Sequence, residues 1–330
     1  MKPSYRLLAL AVLAAAVVVV TPLVGGFAIP LSVLADPRGT DPAAIIFWQI
    51  RVPRVLAGFV GGAGLALGGA VFQAIFRNPL ATPYTLGVAS GASFGVAAVS
   101  ALGLSMVVAG LSTTTVAAFA GALLAVGVVW MLIRLRPNLS STALLLAGVA
   151  MNFFFSSLIL FLQYTASLGD SYRIIRWLMG GLGGVDLRTL VHMAPAVAIG
   201  SLVVARHARG LDLLSTGSEI AASRGLAVNR TRTVLFLATS VMVGGVVATC
   251  GPIGFVGMMA PHICHLVVGS HHRSLLPASA LFGGAFLVLC DTAARVILQP
   301  AELPVGVITA FLGAPFFMWL LVRKFSTHPG

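Results

Sequence analysis

The chain has 330 residues, 58% of them hydrophobic and only 8% charged, with a mean hydropathy of +1.03. Soluble domains carry about 25% charged residues, so this composition excludes one and predicts an all-α polytopic membrane protein. The formal net charge of +12 comes from arginines scattered among span ends, which excludes a nucleic-acid footprint, and no Gly-Lys-Ser/Thr is present to hold nucleotide phosphates, which excludes a P-loop ATPase.

Lys2, Arg6 and the apolar run from Leu7 imitate a secretory signal. The run continues to Ile29 with no small-x-small cleavage site, so it predicts an uncleaved first span over 7–30. A spanning helix needs about 20 apolar residues. Further stretches of this kind lie at 52–76, 83–104, 107–133, 141–164, 189–206, 231–250, 254–268, 275–295 and 304–323. The eighth span is short and broken by Gly and Pro, a form tolerated only where it is buried in protein or lines a cavity. Residues 1–330 therefore read as a single transmembrane domain of about ten helices.

With the N-terminus inside, 13 of the 20 basic residues fall on inner loops and 7 on outer ones. The positive-inside rule then predicts that both termini are cytoplasmic. Lys2, Arg77, Arg134, Arg136, Arg232 and Lys324 belong to the inner set; Arg38, Arg51, Arg54, Arg173, Arg176, Arg188 and Arg295 belong to the outer set.

The span 52–76 has fixed charge at both mouths. Arg51 and Arg54 stand at one, and Arg77 beside Asn78 at the other. Within it, Gly58, Gly62, Ala66 and Ala70 recur four apart, with Gly64 and Gly68 alongside, the spacing of close helix packing. The outer segment 165–188 predicts a small interfacial helix with Trp177 at headgroup level. The longest polar inner segment, 207–232, predicts a helix of about two turns, with a capping box at Thr216-Gly-Ser-Glu219 and Gly225 as its C′ residue. Such a helix is too short to span or to be stable alone, and its place points to docking on a partner.

His262 and His265 share one helix face, a spacing that suits a metal or haem iron, but no carboxylate or third ligand accompanies them. They read as structural, and His192, His207 and His328 carry no signal. Cys250, Cys264 and Cys290 read as buried free thiols. Asp291 is the one acid near a span core, and Arg295 one turn later predicts an i,i+4 pair. Arginine suits bidentate carboxylate pairing. Arg51, Arg54 and Arg295 together therefore predict an acidic partner docking from outside.

The stretches RVPRVLAG (51–58), FRNPLATPYTLGVASGAS (76–93), LLLAGVAMN (144–152), RWLMGGL (176–182), STGSEIAASRGLAV (215–228), GPIGFVGMMAPHICH (251–265), CDTAARVI (290–297) and AELPVGVITAFLGAPFFMWLL (301–321) carry a resemblance over nearly the whole chain. It resembles the ABC-importer permeases for iron chelates, haem and cobalamin. The resemblance implies a type II importer permease fold in a bacterial cytoplasmic membrane. It implies a homodimer around one path, two separate ATPase subunits inside, and a periplasmic or lipid-anchored binding protein outside. It places binding-protein docking on Arg51, Arg54 and Arg295. ATPase coupling falls on about 213–227, with Leu213, Thr216, Gly217, Ser218, Glu219, Ala222, Arg224 and Gly225. The inner gate falls on Asn78, Leu80, Ser141 and Thr142. His265 stands where the family often has a basic residue.

The path walls are expected from spans five, eight and ten, with Asn152, Phe153, Phe154 and Gln163 as liners. No cofactor, metal or covalent chemistry is expected in the chain. The expected cargo is a bulky metal chelate, a ferric siderophore or haem, with cobalamin as the alternative. The rivals from other classes are an ion-coupled transporter, an intramembrane enzyme and a receptor. Each needs intramembrane ionisable groups, a catalytic constellation or a sensor domain.

Overall fold

The computed structural model describes residues 3–37, 39–108, 110–136 and 140–326; Lys2, Arg38 and His328 lie outside the described residues. The first helix, α1 (Pro3–Val20), tightens into a 3₁₀ turn at Thr21–Leu23 and stops. The expected span 7–30 is therefore cut short. Pro22 has no N–H to continue the ladder, and Gly25 and Gly26 follow.

A single turn, α2 (Pro42–Ala44), runs through a π-helical segment, Ile45–Arg51, into α3 (Val52–Phe76). Together they make one rod of 35 residues. Arg77 ends it in the left-handed region at φ 49°. A 3₁₀ turn at Pro83–Leu86, held by reciprocal Thr82 and Thr85 bonds, leads into α4 (Val88–Ala101).

The fourth expected span, 107–133, begins late. Val107–Val108 (β1) and Leu111–Ser112 (β2) form a small antiparallel hairpin, and the helix α5 covers Thr113–Leu135. Then come α6 (Ser141–Thr165), α7 (Leu168–Leu178) and α8 (Leu187–Arg206), whose caps Ser140, Ser167 and Asp186 each accept a backbone N–H. The short pair α9 (Ala208–Thr216) and α10 (Ser218–Ser223) precedes α11 (Val228–Cys250), α12 (Val256–Val268), α13 (His272–Val296) and α14 (Val305–Ser326). Seven of these helices are long and apolar enough to cross a membrane, and three shorter apolar ones, α4, α12 and the first part of α14, complete the ten expected spans.

The helix α3 is the hub. It packs on α8, α11, α12 and α13, while α4 packs on α5 and α6. Its span is 78% buried, against 17% for α6. The small-residue spacing explains this. A Cβ on Gly62 would lie 2.3 Å from the Gly283 carbonyl oxygen of α13, and one on Gly69 would lie 1.5 Å from that of Gly257 in α12. Backbones touch there, and no side chain fits between them. Helices in lipid gain no hydrophobic drive from meeting each other, so such close van der Waals contact is what holds them.

Replacing Gly69 by Ala should destabilise the detergent-solubilised protein by at least the ~1–3 kcal/mol of an overpacked core. Gly127→Ala, where an added Cβ meets nothing within 4 Å, should leave melting unchanged. Thermal melting monitored by size-exclusion chromatography compares the two.

Candidate functional site

The polar groups of the hub gather at its two ends. At the first end Arg54 is clasped by Asp291. Its Nε donates to Oδ2 at 2.9 Å and its Nη2 to Oδ1 at 2.9 Å, a fork-to-fork pair. Its Nη1 donates to Glu302 Oε2 at 2.8 Å. Arg51 turns toward the frayed end of α1 and donates to the carbonyls of Pro22 (3.1 Å) and Phe27 (2.8 Å). Arg295 donates to the Val24 carbonyl at 3.2 Å and to the Thr292 hydroxyl at 3.1 Å. The carbonyls released where α1 stops thus receive two guanidinium groups, as a helix C-terminus favours.

The expectation that these arginines stand on the outer surface needs correction. Arg51, Arg54 and Arg295 are only 6%, 6% and 7% exposed, and Asp291 2%. Carbonyls and carboxylates draw them inward. The expected Asp291–Arg295 pair is secondary. Arg295 Nε lies 3.3 Å from Asp291 Oδ2, within ion-pair range, but it lacks hydrogen-bond geometry. Glu302 is the accessible member of the cluster, its side chain half exposed. Three guanidinium groups against two carboxylates leave one net positive charge under this rim. Among the described residues, the exposed arginines of the same expected set are Arg173, Arg176 and Arg188.

The helix α7 is amphipathic. Ile174 is buried, Leu168 and Tyr172 are exposed, and Arg173 pairs with Asp170. Hydrogen bonds from Ser167 and Arg173 hold the Asp170 carboxyl below its usual range. Trp177 is half-buried and packs against the main core.

At the second end, the predicted short helix is present as α10, and a further helix, α9, precedes it across Gly217. The expected capping box is absent. The Thr216 hydroxyl donates back to the Leu213 carbonyl at 2.8 Å and closes α9, and Gly217 itself, at a positive φ of 122°, starts α10 without a side-chain cap. The other terminus is as expected. Gly225 takes φ 81°; Leu226 N–H bonds the Ala221 carbonyl at 3.0 Å and Gly225 N–H the Ala222 carbonyl at 2.9 Å, a Schellman motif. Leu211, Leu214 and Ala221 are buried anchors. Glu219, Ile220, Ala222, Ser223 and Arg224 form an exposed face.

Two bonds tie this pair to the bundle. Asp212 Oδ1 receives the His272 backbone N–H at 2.8 Å and sits 2.7 Å from His272 Nδ1, which links α9 to α13. Arg232 Nη2 donates to Ser218 Oγ at 2.9 Å, which links α11 to α10. The Asp212–His272 tie escaped the sequence reading, because the partners lie 60 residues apart and neither position carries a motif.

The expected gate residues fall in two places. Asn78 Oδ1 accepts from Leu80 N–H at 2.9 Å within one turn. Ser141 and Thr142 begin α6. No hydrogen bond joins the two pairs among the described residues. Of the expected path liners, Phe153 and Phe154 are exposed on α6 and Gln163 is half-buried. Asn152, half-buried, accepts from Ser90 Oγ at 2.7 Å and donates to the Tyr84 carbonyl at 3.2 Å, so it fastens α6 to α4 and to the turn before it. Tyr84, unrecognised from sequence, also accepts the Ile253 N–H at 3.0 Å, in the unwound stretch before α12.

Residues 7–323 match the FecCD transport family. The chain is similar to the cobalamin import system permease protein BtuC of Halobacterium salinarum, 44% identical over 286 residues, 85% of this chain and 74% of that protein. It is also similar to the vitamin B12 import system permease protein BtuC of Escherichia coli O139:H28, 42% identical over 292 residues, 87% of this chain and 86% of that protein. A solved structure described as a metal-chelate type ABC transporter in an inward-facing conformation superposes with a TM-score of 0.85 at 30% identity, over 96% of this chain and 98% of that one.

The buried ion pair makes a stability prediction. Arg54→Met leaves Asp291 only the longer contact to Arg295 and should cost up to about 3–5 kcal/mol, read as a lower melting temperature in detergent. The double change Arg54→Met with Asp291→Leu should recover most of that loss. Equal melting of parent and Arg54→Met would contradict the assignment.

Proposed function

The chain belongs to the FecCD transport family, and from that premise we propose that it forms one half of a cobalamin translocation path. It is the permease subunit of an ABC importer, a multi-pass membrane protein that transports rather than catalyses. Membership implies separate ATPase partners and a substrate-binding protein. The similarity to two cobalamin permeases at 42–44% identity carries the choice of a corrinoid over the iron chelate first expected. A ferric chelate is the second reading, favoured by the superposition on a metal-chelate type transporter.

The path is formed between two copies of the chain. Two cavities within one copy are about 340 and 210 Å³, at or below the ~300–1,000 Å³ of small-ligand sites, and a corrinoid is bulkier than a typical small ligand. The exposed aromatic faces of α6 (Phe153, Phe154, Phe161) and α14 (Phe311, Trp319) support a wall contributed by each copy. The end of α3 that carries Arg77 faces the cytoplasm, by the 13 to 7 split of basic residues.

On the cytoplasmic side the exposed face of α10 seats in an ATPase subunit. ATP-driven closure pushes on α9 and α10, and the Asp212–His272 and Ser218–Arg232 bonds pass the movement to α13 and α11. On the outer side the binding protein docks over the Arg51, Arg54 and Arg295 cluster. Because these groups lie under the rim, an incoming carboxylate reaches Arg54 by displacing the half-exposed Glu302.

Proteoliposomes holding the permease, its ATPase and its binding protein should take up cyanocobalamin only with ATP. Uptake of a ferric hydroxamate but not cyanocobalamin would replace the substrate, and uptake driven by a proton gradient without the ATPase would overturn the reading. Separately, Glu302→Gln should tighten binding-protein docking, up to about fivefold for one part-exposed pair, in a surface-immobilised binding assay, whereas unchanged or weaker docking would refute the displacement.

A further inference from the structure

We propose that the larger cavity is a headgroup site for an anionic phospholipid of the cytoplasmic leaflet. This rests on the orientation given above. The cavity, about 340 Å³, lies where α3 and α5 end and α6 and α11 begin. Its polar wall holds Arg134, Arg136 and Arg232 with Ser141, Asn229 and Thr233, and no carboxylate lines it among the described residues.

The three guanidinium groups lack a counter-charge. Arg232 spends one nitrogen on Ser218 Oγ, and its Nε is buried without a hydrogen-bond partner. Arg134 lies over the Trp130 ring at 5.3 Å, a cation–π contact that holds the group in place while its in-plane donors stay available. A fourth guanidinium is near, since Arg77 Nη1 lies 3.5 Å from where Gly217 would carry a Cβ, and Gly217 adjoins Ser218. The helix α6 opens at Ser141 in the same wall, so its N-terminal N–H groups add partial positive charge.

Three uncompensated positive charges in one recess call for an anion with several acceptor oxygens, and arginine suits a phosphodiester. The rest of the wall identifies the source of that phosphate. Phe76, Ile133, Leu144 and Phe236 make it apolar, and on the neighbouring outer faces Met131, Leu135 and Leu146 are 58%, 62% and 68% exposed. A free phosphate ion has no use for such a wall; the glycerol and first acyl carbons of a lipid do. Basic pockets between helices at the cytoplasmic face suit cardiolipin and similar headgroups. The bound lipid would bridge the end of α5 to the start of α11, directly behind the Arg232–Ser218 bond that holds α10.

Native mass spectrometry of the complete importer in detergent tests this, without substrate and so independently of what is transported. With phosphatidylglycerol or cardiolipin added, one lipid per permease chain should be retained, and with phosphatidylcholine none. Arg134→Gln with Arg136→Gln should weaken retention about tenfold or more, as should Arg232→Gln, while Arg188→Gln at the opposite end should not. Inorganic phosphate at equal concentration should fail to displace the lipid. Displacement by phosphate would make this a free-anion site. Equal retention of phosphatidylcholine, or variants that keep the lipid, would overturn the proposal. So would variants that retain lipid but lose the ATPase subunit, since the arginines would then serve a protein carboxylate.

Discussion

Contact between backbones along α3 is the constraint on which the rest of the molecule depends. At Gly62 and Gly69 the neighbouring carbonyls of α13 and α12 occupy the space of a missing side chain. Lipid tails are as apolar as leucine, so these helices stay together by close packing rather than by escape from water. The register of α3 against α12 and α13 is thereby set, and with it the positions of both ends. Arg54 meets Asp291 because Gly62 meets Gly283.

That register explains how five charged groups share one small volume. Burying an ion is costly unless its hydrogen-bonding capacity is filled. Here the carbonyls freed at the end of α1 and the fork of Asp291 fill most of it, and the exception is Arg295 Nε, which lacks a hydrogen-bond partner. The cluster is therefore both an anchor for the loops at that end and a reserve of positive charge just below the surface. At the opposite end the polar groups are spread out, and α10 is held by single bonds. A packed anchor at one end and a lightly tethered helix at the other is a division suited to receiving cargo on one side and force on the other.

Much of this was legible in the sequence because it follows from patterns with a local cause. Apolar length announced ten spans, four-residue spacing of small side chains announced the packing of α3, and Gly225 announced the end of α10. What was not legible depended on partners distant in the chain. The run to Ile29 is apolar throughout, but Pro22 and the two glycines stop α1, and Arg51 rewards the stop. Val107 to Ser112 is hydrophobic enough for a helix yet forms a hairpin. Thr216 satisfies the capping pattern, but its hydroxyl finds the Leu213 carbonyl first. The arginines were identified as important, while their burial could not be read from residue type. The choice of a corrinoid over an iron chelate came from relatives, since composition does not distinguish two bulky chelates.

Packing also separates what stays from what moves. The spans of α3, α11 and α13 are 78%, 67% and 67% buried, whereas that of α6 is 17%. In the proposed pairing of two copies, alternating access should then leave the hub rigid and shift α6 against its counterpart. Electron paramagnetic resonance distances measure this directly in the assembled importer. One label pair crosses from the rod of α3 to α13 at the charged end of the hub, at Ile50 and Val296, both exposed, and the other joins Leu146 of each copy. On adding ATP and vanadate, the Leu146 distance is expected to change while the Ile50–Val296 distance stays fixed. A change across Ile50 and Val296 of the same size would contradict the account.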